Sequence, residues 1–206
     1  MRHRLITVVG MTICALPARA ALHYVALDGG HAAPYTSWAA AATNVQAALD
    51  AAGDGDEIIV SAGVYAVSAP ILVTNNVVLG SAAGSAATVL ANTANGRVLQ
   101  VLASVAVIRG FTISNGVAVQ GGGVLCTNNT LVTLAACVLV NNKANGSVGI
   151  GGGVYATRCD MAITNCAVYG NTATYSGGGI NVRNGALSIA DTVVISNSAA
   201  GWGGNG

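Results

Sequence analysis

Residues 163–180 read ITNCAVYGNTATYSGGGI, and variants of this stretch recur along the second half of the chain. The related stretches are IRGFTISNGVAVQGGGV at 108–124, LAACVLVNNKANGSVGIGGGV at 134–154 and IADTVVISNSAAGWGG at 189–204. Their first residues lie 26, 29 and 26 positions apart. A repeat of this period is typical of stacked supersecondary units, in which each unit contacts only its neighbours.

Equivalent positions of the four copies carry equivalent residues. An aliphatic residue opens each copy, a second column follows three positions later, an Asn or Gly stands eight positions later, and glycines end the copy. The opening column comprises Ile108, Leu134, Ile163 and Ile189, the second comprises Phe111, Cys137, Cys166 and Thr192, and the third comprises Gly116, Asn142, Asn171 and Asn197.

Apolar residues alternate only over stretches of six to nine positions, at 108–113, 134–139, 161–168 and 187–195, which favours short strands over helices. One copy, with two or three such strands, then forms one coil of a parallel β-solenoid, with coils about 4.8 Å apart. Each column becomes a ladder of like residues. Asn suits a bend because it tolerates the left-handed conformation and its amide bonds to its neighbour in the stack. The glycines provide positive φ or a crowded corner.

The first half of the chain predicts less regular coils behind a short helix. Residues 44–52 place Val45, Leu49 and Ala52 at helical spacing, with Thr43 or Asn44 as the N-cap and Gly53 as the stop. Such a helix covers the open strand edge of the first coil. We therefore divide the chain into a signal peptide (1–20), an N-terminal strand and capping helix (21–57), and coils (58–206), with clear repeats from about residue 105.

The N-terminus has the pattern of a secretory leader. Basic residues at 2–4 precede an apolar run at 5–16, and residues 17–20 end in a small-x-small cleavage pattern. The run is shorter than the about 20 residues of a membrane-spanning helix, so we expect cleavage after Ala20 and export, with no membrane span. The mature chain keeps five basic residues against seven acidic ones, a net charge of −2, which argues against nucleic acid as a partner.

Three stretches, YVALDG at 24–29, NVQAALDAA at 44–52 and GDEIIVSAGVY at 55–65, together with Trp38, resemble the N-terminal part of the pectate-lyase-like superfamily. The glycine blocks with Asn-x-Ala ends resemble the repeats of polymorphic outer-membrane proteins and similar bacterial surface proteins. The two resemblances cover about residues 24–206. They imply an all-β, right-handed, single-stranded parallel β-helix with a short N-terminal capping helix, C-terminally incomplete because the sequence ends inside the next coil.

Candidate ligand residues are few, and no catalytic residue is assigned. Many members of the superfamily it resembles cleave acidic polysaccharides, and its lyases bind calcium with a carboxylate cluster. Asp54, Asp56 and Glu57 adjoin at the helix-to-strand turn, where a solvated turn is favoured over a catalytic or calcium role. Arg158 and Asp160 are predicted to share a strand face, with Arg183 on the next coil as a third weak ligand candidate. A surface ion pair is favoured there over sugar or anion binding.

Four cysteines remain in the mature chain. Cys137 and Cys166 share a column, so a disulfide between adjacent coils is within reach and export permits one. Side chains in register on parallel strands point the same way, however, and we predict two buried thiols. For Cys126 and Cys159, the sequence is compatible with either a disulfide or free thiols.

The histidines and the aromatic residues are the remaining candidates for ligand binding. His23 and His31 have no third ligand that would make a zinc site. For Tyr35, Trp38 and Trp202, packing is favoured over sugar stacking.

The leading functional hypothesis is a non-catalytic, exported module of the cell surface or envelope, either adhesin-like or structural. Its partners would be a polysaccharide or a host or cell-surface protein, and the open last coil predicts end-to-end self-association. The alternative is a polysaccharide-binding or polysaccharide-cleaving protein in the same fold. No cofactor is predicted, with calcium as the alternative.

Overall fold

The computed structural model describes residues 20–201, apart from the side chains of 128–130. The predicted signal peptide lies outside that range, except for Ala20. Outside it too are Trp202, for which packing is predicted, and the last glycine cluster, Gly203 and Gly204.

The first half of the described chain contains one helix and seven strands. They are β1 (Leu22–Val25), α1 (Val45–Ala51), β2 (Glu57–Val60), β3 (Gly63–Val67), β4 (Ile71–Val73), β5 (Val78–Ser81), β6 (Thr88–Asn92) and β7 (Leu99–Val101).

The second half contains thirteen more strands. They are β8 (Val105–Arg109), β9 (Thr112–Ser114), β10 (Val117–Ala118), β11 (Val124–Ala135), β12 (Val138–Val140), β13 (Lys143–Ala144), β14 (Val154–Thr164), β15 (Ala167–Tyr169), β16 (Thr172–Ala173), β17 (Ile180–Arg183), β18 (Leu187–Ala190), β19 (Val193–Ile195) and β20 (Ser198–Ala199).

Every strand pairing among the described residues is parallel, and the strands wind into a solenoid of about five turns. The predicted parallel β-solenoid is thereby confirmed, whereas its right-handed winding stays a prediction. The lateral sheets run in the orders β1-β2-β5-β8-β11-β14-β18, β4-β7-β11-β14-β17, β3-β6-β9-β12-β15-β19 and β10-β13-β16-β20. The first two of these sheets are joined, because the long strands β11 and β14 belong to both.

The aliphatic column of the repeat is a ladder through the interior. Leu134 pairs with Ile108 on one side and Ile163 on the other, and Ile163 pairs with Ile189. The first three are completely buried, whereas Ile189 is exposed because no described strand lies above β18. End-to-end association through this last coil stays a prediction.

The predicted strand boundaries need correction, because each alternating stretch crosses a corner. At each corner, a residue with positive φ separates two strands that lie in different sheets. The alternation of apolar residues then resumes in the second strand. This corner column comprises Gly110, Ala136, Asn165 and Asp191. The later coils also contain a two-residue strand of the β10 type, too short to show alternation. The coils that begin with β11 and β14 have three strands each, within the two or three predicted, whereas the coil that begins with β17 has four.

The conformational role predicted for the Asn column also needs correction. The left-handed residues are those one position earlier, namely Asn115, Asn141, Gly170 and Ser196. Asn142 and Asn171 are instead stacked inside the solenoid, and their amides bond from coil to coil as predicted. The predicted roles of the glycine clusters are both present: Gly151 has a φ of 66°, and a Cβ on Gly153 would collide with the Gly179 carbonyl and lie tightly against the Asn171 side chain.

Helix α1 closes the first coil. The side chain of Asn44 accepts a hydrogen bond from the Ala47 amide at 2.9 Å, so Asn44 is the N-cap. Val45, Ala48 and Leu49 face the core, which explains the helical spacing of apolar residues seen in the sequence.

Candidate functional site

The three weak ligand candidates lie on two adjacent coils, Arg158 and Asp160 on β14 and Arg183 on β17, and their ligand role stays a prediction. Arg158 has a φ of 51° between the two halves of β14, and it and Asp160 are both exposed, with the buried Cys159 between them. Arg183 pairs in register with Thr157 on the neighbouring strand. The predicted surface ion pair is wrong: within residues 20–201, no salt bridge joins Arg158 to Asp160. The Asp160 carboxylate instead accepts the Ala186 amide at 2.7 Å.

The acidic turn is committed to structural contacts. Asp54 accepts the Asn76 amide at 2.8 Å, and Asp56 accepts the amides of Ala21 and Gly53, both at 2.7 Å. Asp56 also lies 3.1 Å from Nε2 of buried His23. Burial alone would raise the pKa of Asp56, but these hydrogen bonds outweigh it and lower the pKa.

Glu57 forms an ion pair with Arg109 across an intervening strand. The two residues lie on β2 and β8, and Gly80 on the intervening strand β5 pairs in register with Arg109. A Cβ on Gly80 would lie against the Arg109 side chain, so the glycine gives the guanidinium room to cross the sheet. Because the Arg109 side chain is half exposed, this pair adds little stability.

Arg97 is committed to a corner of the solenoid. Its guanidinium donates to the carbonyl of Gln120 at 2.7 Å and to that of Gly121 at 2.9 Å. Burial lowers the pKa of this arginine. Arg97 therefore braces the start of a glycine cluster.

A disulfide joins Cys126 in the first half of β11 to Cys159 in the second half of β14, with Cα atoms 6.3 Å apart. Cys126 pairs in register with Ala156, and Cys159 with Thr130, so the bridge runs diagonally between adjacent coils. The sequence columns did not reveal this pairing because β11 has two residues between Thr127 and Thr130 where β14 has one between Thr157 and Cys159, which shifts the register.

Cys137 and Cys166 are free, buried thiols on adjacent coils, in agreement with the prediction for this column. The Cys137 amide donates to Sγ of Cys166 at 3.3 Å. Hydrogen bonding to Cys137 lowers the pKa of Cys166 to about 7 against the effect of burial. The same pairing, together with burial, raises the pKa of Cys137.

A cleft of about 400 Å³ lies at the N-terminal end of the solenoid, between the start of α1 and strand β3. No Asp, Glu, Lys, Arg or His lines it, and burial raises the pKa of its one phenol, Tyr65. The cleft therefore suits binding of an uncharged group and offers little for acid–base catalysis. The lining residues are Leu27, Thr43, Asn44, Val45, Gln46 and 64–71. The sequence carries no signal for the cleft, because three separate segments of ordinary neutral residues form it.

The aromatic residues near the helix divide into one buried and one exposed residue. Tyr35 is buried in the core, as packing predicted. Trp38 is half exposed and lies on Tyr24, with ring centroids 4.6 Å apart.

Residues 20–201 contain neither a membrane-spanning helix nor a metal-ligand cluster. No helix in this range is long and apolar enough to cross a membrane. In the same range, no three His, Cys, Asp or Glu side chains come together as a metal site. Comparison with protein families, curated proteins and solved structures finds no match to this chain.

Proposed function

We propose that the chain is a non-catalytic, exported β-solenoid module of the cell surface or envelope. The observation that carries this proposal is the Cys126–Cys159 bridge between two coils. Structural disulfides form and persist in oxidising compartments and are rare in the cytosol, so the bridge supports the export that the leader pattern predicts.

The use of the acidic side chains supports a scaffold over an enzyme. Asp54, Asp56 and Asp160 accept backbone amides, and Glu57 forms an ion pair. Glycoside hydrolases need two carboxyl groups that face each other across a substrate, and calcium-dependent lyases need a carboxylate cluster. Here the carboxylates stabilise turns and strand ends.

The two sequence resemblances add to the proposal at a finer level. The resemblance to polymorphic outer-membrane proteins favours a surface-exposed, adhesin-like role, whose partner would be a polysaccharide or a cell-surface protein. Membership of the pectate-lyase-like superfamily is part of the same proposal.

The alternative function is polysaccharide binding. The neutral cleft favours it, as does Trp38, whose half-exposed ring offers a stacking face.

Export and the bridge are tested together by expressing the full chain with its own leader in a bacterium. We expect the recovered protein to begin at Ala21. After denaturation without reduction, we expect alkylation of Cys137 and Cys166 only, because Cys126 and Cys159 are bridged. Alkylation of all four cysteines, or retention of the leader in a cytosolic product, would contradict the proposal.

Catalysis is tested by incubating the purified chain with pectin, alginate and related polymers, with and without calcium. We expect neither unsaturated products nor new reducing ends. Their appearance would replace the scaffold proposal with the enzymatic alternative. Retardation of the chain in a gel containing a polymer, without cleavage, would support the polysaccharide-binding alternative.

A further inference from the structure

Three strands of the first coil, β2, β4 and β3, have an edge that faces the N-terminal end of the solenoid. These edges differ in what covers them. Strand β1 pairs along the whole of β2 and covers the first edge. The side chain of Gln46 covers the edge at β4: its Oε1 accepts the Leu72 amide at 2.7 Å and its Nε2 donates to the Leu72 carbonyl at 3.3 Å. Strand β3 is the terminal strand of its sheet and, among the described residues, has no neighbour below it.

The outward-facing backbone groups of β3 can be assigned from its pairing with β6. The Gly63 amide donates to the Ala87 carbonyl, and the Val67 carbonyl accepts the Thr93 amide. The backbone amides and carbonyls of every second residue from Gly63 to Val67 therefore point towards β6. Parallel strands alternate the direction of their hydrogen bonds, so the amides and carbonyls of Val64 and Ala66 point away from β6. Within residues 20–201, no hydrogen bond engages them.

This open edge borders the cleft of about 400 Å³. Val64 and Leu27, which flank the cleft, are 63% and 52% exposed. The lining therefore combines unpaired main-chain groups, exposed aliphatic side chains and neutral polar groups such as Thr43 and Ser68. A charged ligand would find no counter-charge there, whereas an extended peptide strand would satisfy the main-chain groups and cover the aliphatic ones.

We infer that the edge of β3 is a docking site for an extended, uncharged peptide segment of a partner protein, which adds to the sheet as a parallel strand. Main-chain hydrogen bonds to Val64 and Ala66 supply the affinity, and the neutral lining selects a segment rich in Val and Thr. This inference goes beyond the proposed surface role, since it names a site and a ligand chemistry, and it does not depend on export.

The test uses the purified, oxidised full chain and a fluorescent heptapeptide of alternating Val and Thr with blocked ends. Fluorescence anisotropy is expected to show saturable binding. A control peptide with proline at alternate positions lacks the amides needed for pairing and is expected to bind at least about tenfold more weakly.

The first pair of matched variants changes Ala66, whose backbone amide and carbonyl point away from β6. Ala66→Pro removes an outward amide without touching the bonds to β6, because proline is tolerated on a free edge. We expect it to weaken binding of the Val/Thr peptide by at least about tenfold. Ala66→Val keeps the amide and is expected to bind within about twofold of the unchanged chain.

A second pair guards against misfolding of the proline variant. Val64→Lys places a charge on the exposed edge, a natural device against strand addition, and is expected to weaken binding by at least about tenfold. Val64→Thr keeps a β-branched, neutral residue and is expected to retain binding. Thermal unfolding of each variant confirms that it is folded.

Three results would overturn the inference. They are the absence of saturable binding to the unchanged chain, equal binding by the folded Ala66→Pro or Val64→Lys variant, and a concentration-dependent dimer that these variants abolish. The dimer, measured by light scattering, would assign the edge to a second copy of the chain. None of these results bears on the alkylation or polymer assays, so failure here is distinguishable from failure of the proposed function.

Discussion

Asn171 is completely buried, and its amide makes hydrogen bonds to the coils on both sides. Its Oδ1 accepts the amide and side-chain Nδ2 of Asn142, and its Nδ2 donates to the Leu139 carbonyl and to Asn197. Gly153 packs against the same side chain. The glycine clusters and the asparagine column of the repeat therefore form one packing unit, because the glycine leaves the volume that the asparagine fills.

Replacement of Asn171 tests this unit. Asn171→Ala leaves several buried main-chain groups without partners, and we expect it to lower the free energy of unfolding by about 3 kcal/mol. Urea unfolding measures the change. The control is Asn145→Ala, because the half-buried Asn145 side chain bonds to no described residue and should cost less than about 0.5 kcal/mol. Equal effects of the two changes would contradict the role of the ladder.

The second column tests whether a hydroxyl can replace a thiol. Thr192 accepts the Cys166 amide at 3.2 Å, as Cys166 accepts the Cys137 amide on the coil before. We therefore expect Cys166→Thr to be more stable than Cys166→Val by about 1 kcal/mol, since the two side chains have the same shape and only threonine keeps the bond. Urea midpoints decide this. A valine variant as stable as the threonine variant would show that the bond contributes nothing.

At the scale of elements, β1 is attached by main-chain pairing to β2 and by one carboxylate. Asp56 accepts the amide preceding β1, that of Ala21, and contacts His23 within the strand. His23 is buried, and its Nδ1 also lies 2.7 Å from the Pro34 carbonyl. Asp56 thus ties the first strand and the following loop to the start of the solenoid.

Because the pKa of Asp56 is lowered in the folded chain, its contribution to stability has a defined pH window. It is fully present above the unfolded pKa of about 3.9 and is lost as the pH falls through the lower folded pKa. We expect Asp56→Asn to lower the free energy of unfolding by about 2 kcal/mol at pH 7, and the difference to shrink below about pH 4.

Denaturation at pH 7 and pH 3, with hydrogen exchange in β1, measures this effect. The control is Asp191→Asn, since asparagine also tolerates the positive φ at that exposed corner. A difference between Asp56→Asn and the unchanged chain that stays constant down to pH 3 would disprove the assignment.

At the scale of the whole molecule, a solenoid is stabilised by contacts between neighbouring coils, so a cross-link between coils acts on the entire stack. The Cys126–Cys159 bridge spans 33 positions of sequence. The chain-entropy model assigns a loop of this length a stabilisation of about 4 kcal/mol.

We expect reduction, or the double change Cys126→Ser and Cys159→Ser, to lower the free energy of unfolding by about 2–4 kcal/mol. Urea unfolding with and without a phosphine reductant measures it. The reductant should leave the double variant unchanged, which controls for its effects on Cys137 and Cys166. An unchanged midpoint on reduction of the natural chain would show that the bridge does not stabilise the stack.

The sequence by itself determined the stacking of the coils, because equivalent residues recurred at equivalent positions and parallel pairing places such residues in ladders. It also determined the capping helix, since Asn44 and the spacing of Val45 and Leu49 are local signals. The corners were only partly predicted, because a single left-handed residue such as Ala136 has no distinctive identity.

Only the tertiary structure decided the Cys126–Cys159 pairing, the position of the Asp160 carboxylate and the cleft beside β3. The pairing of the cysteines depends on an extra residue in β11, the Asp160 contact joins two adjacent coils, and the cleft depends on segments far apart in sequence. Periodic and local interactions are written along the chain, whereas contacts between offset segments exist only after the chain has been wound.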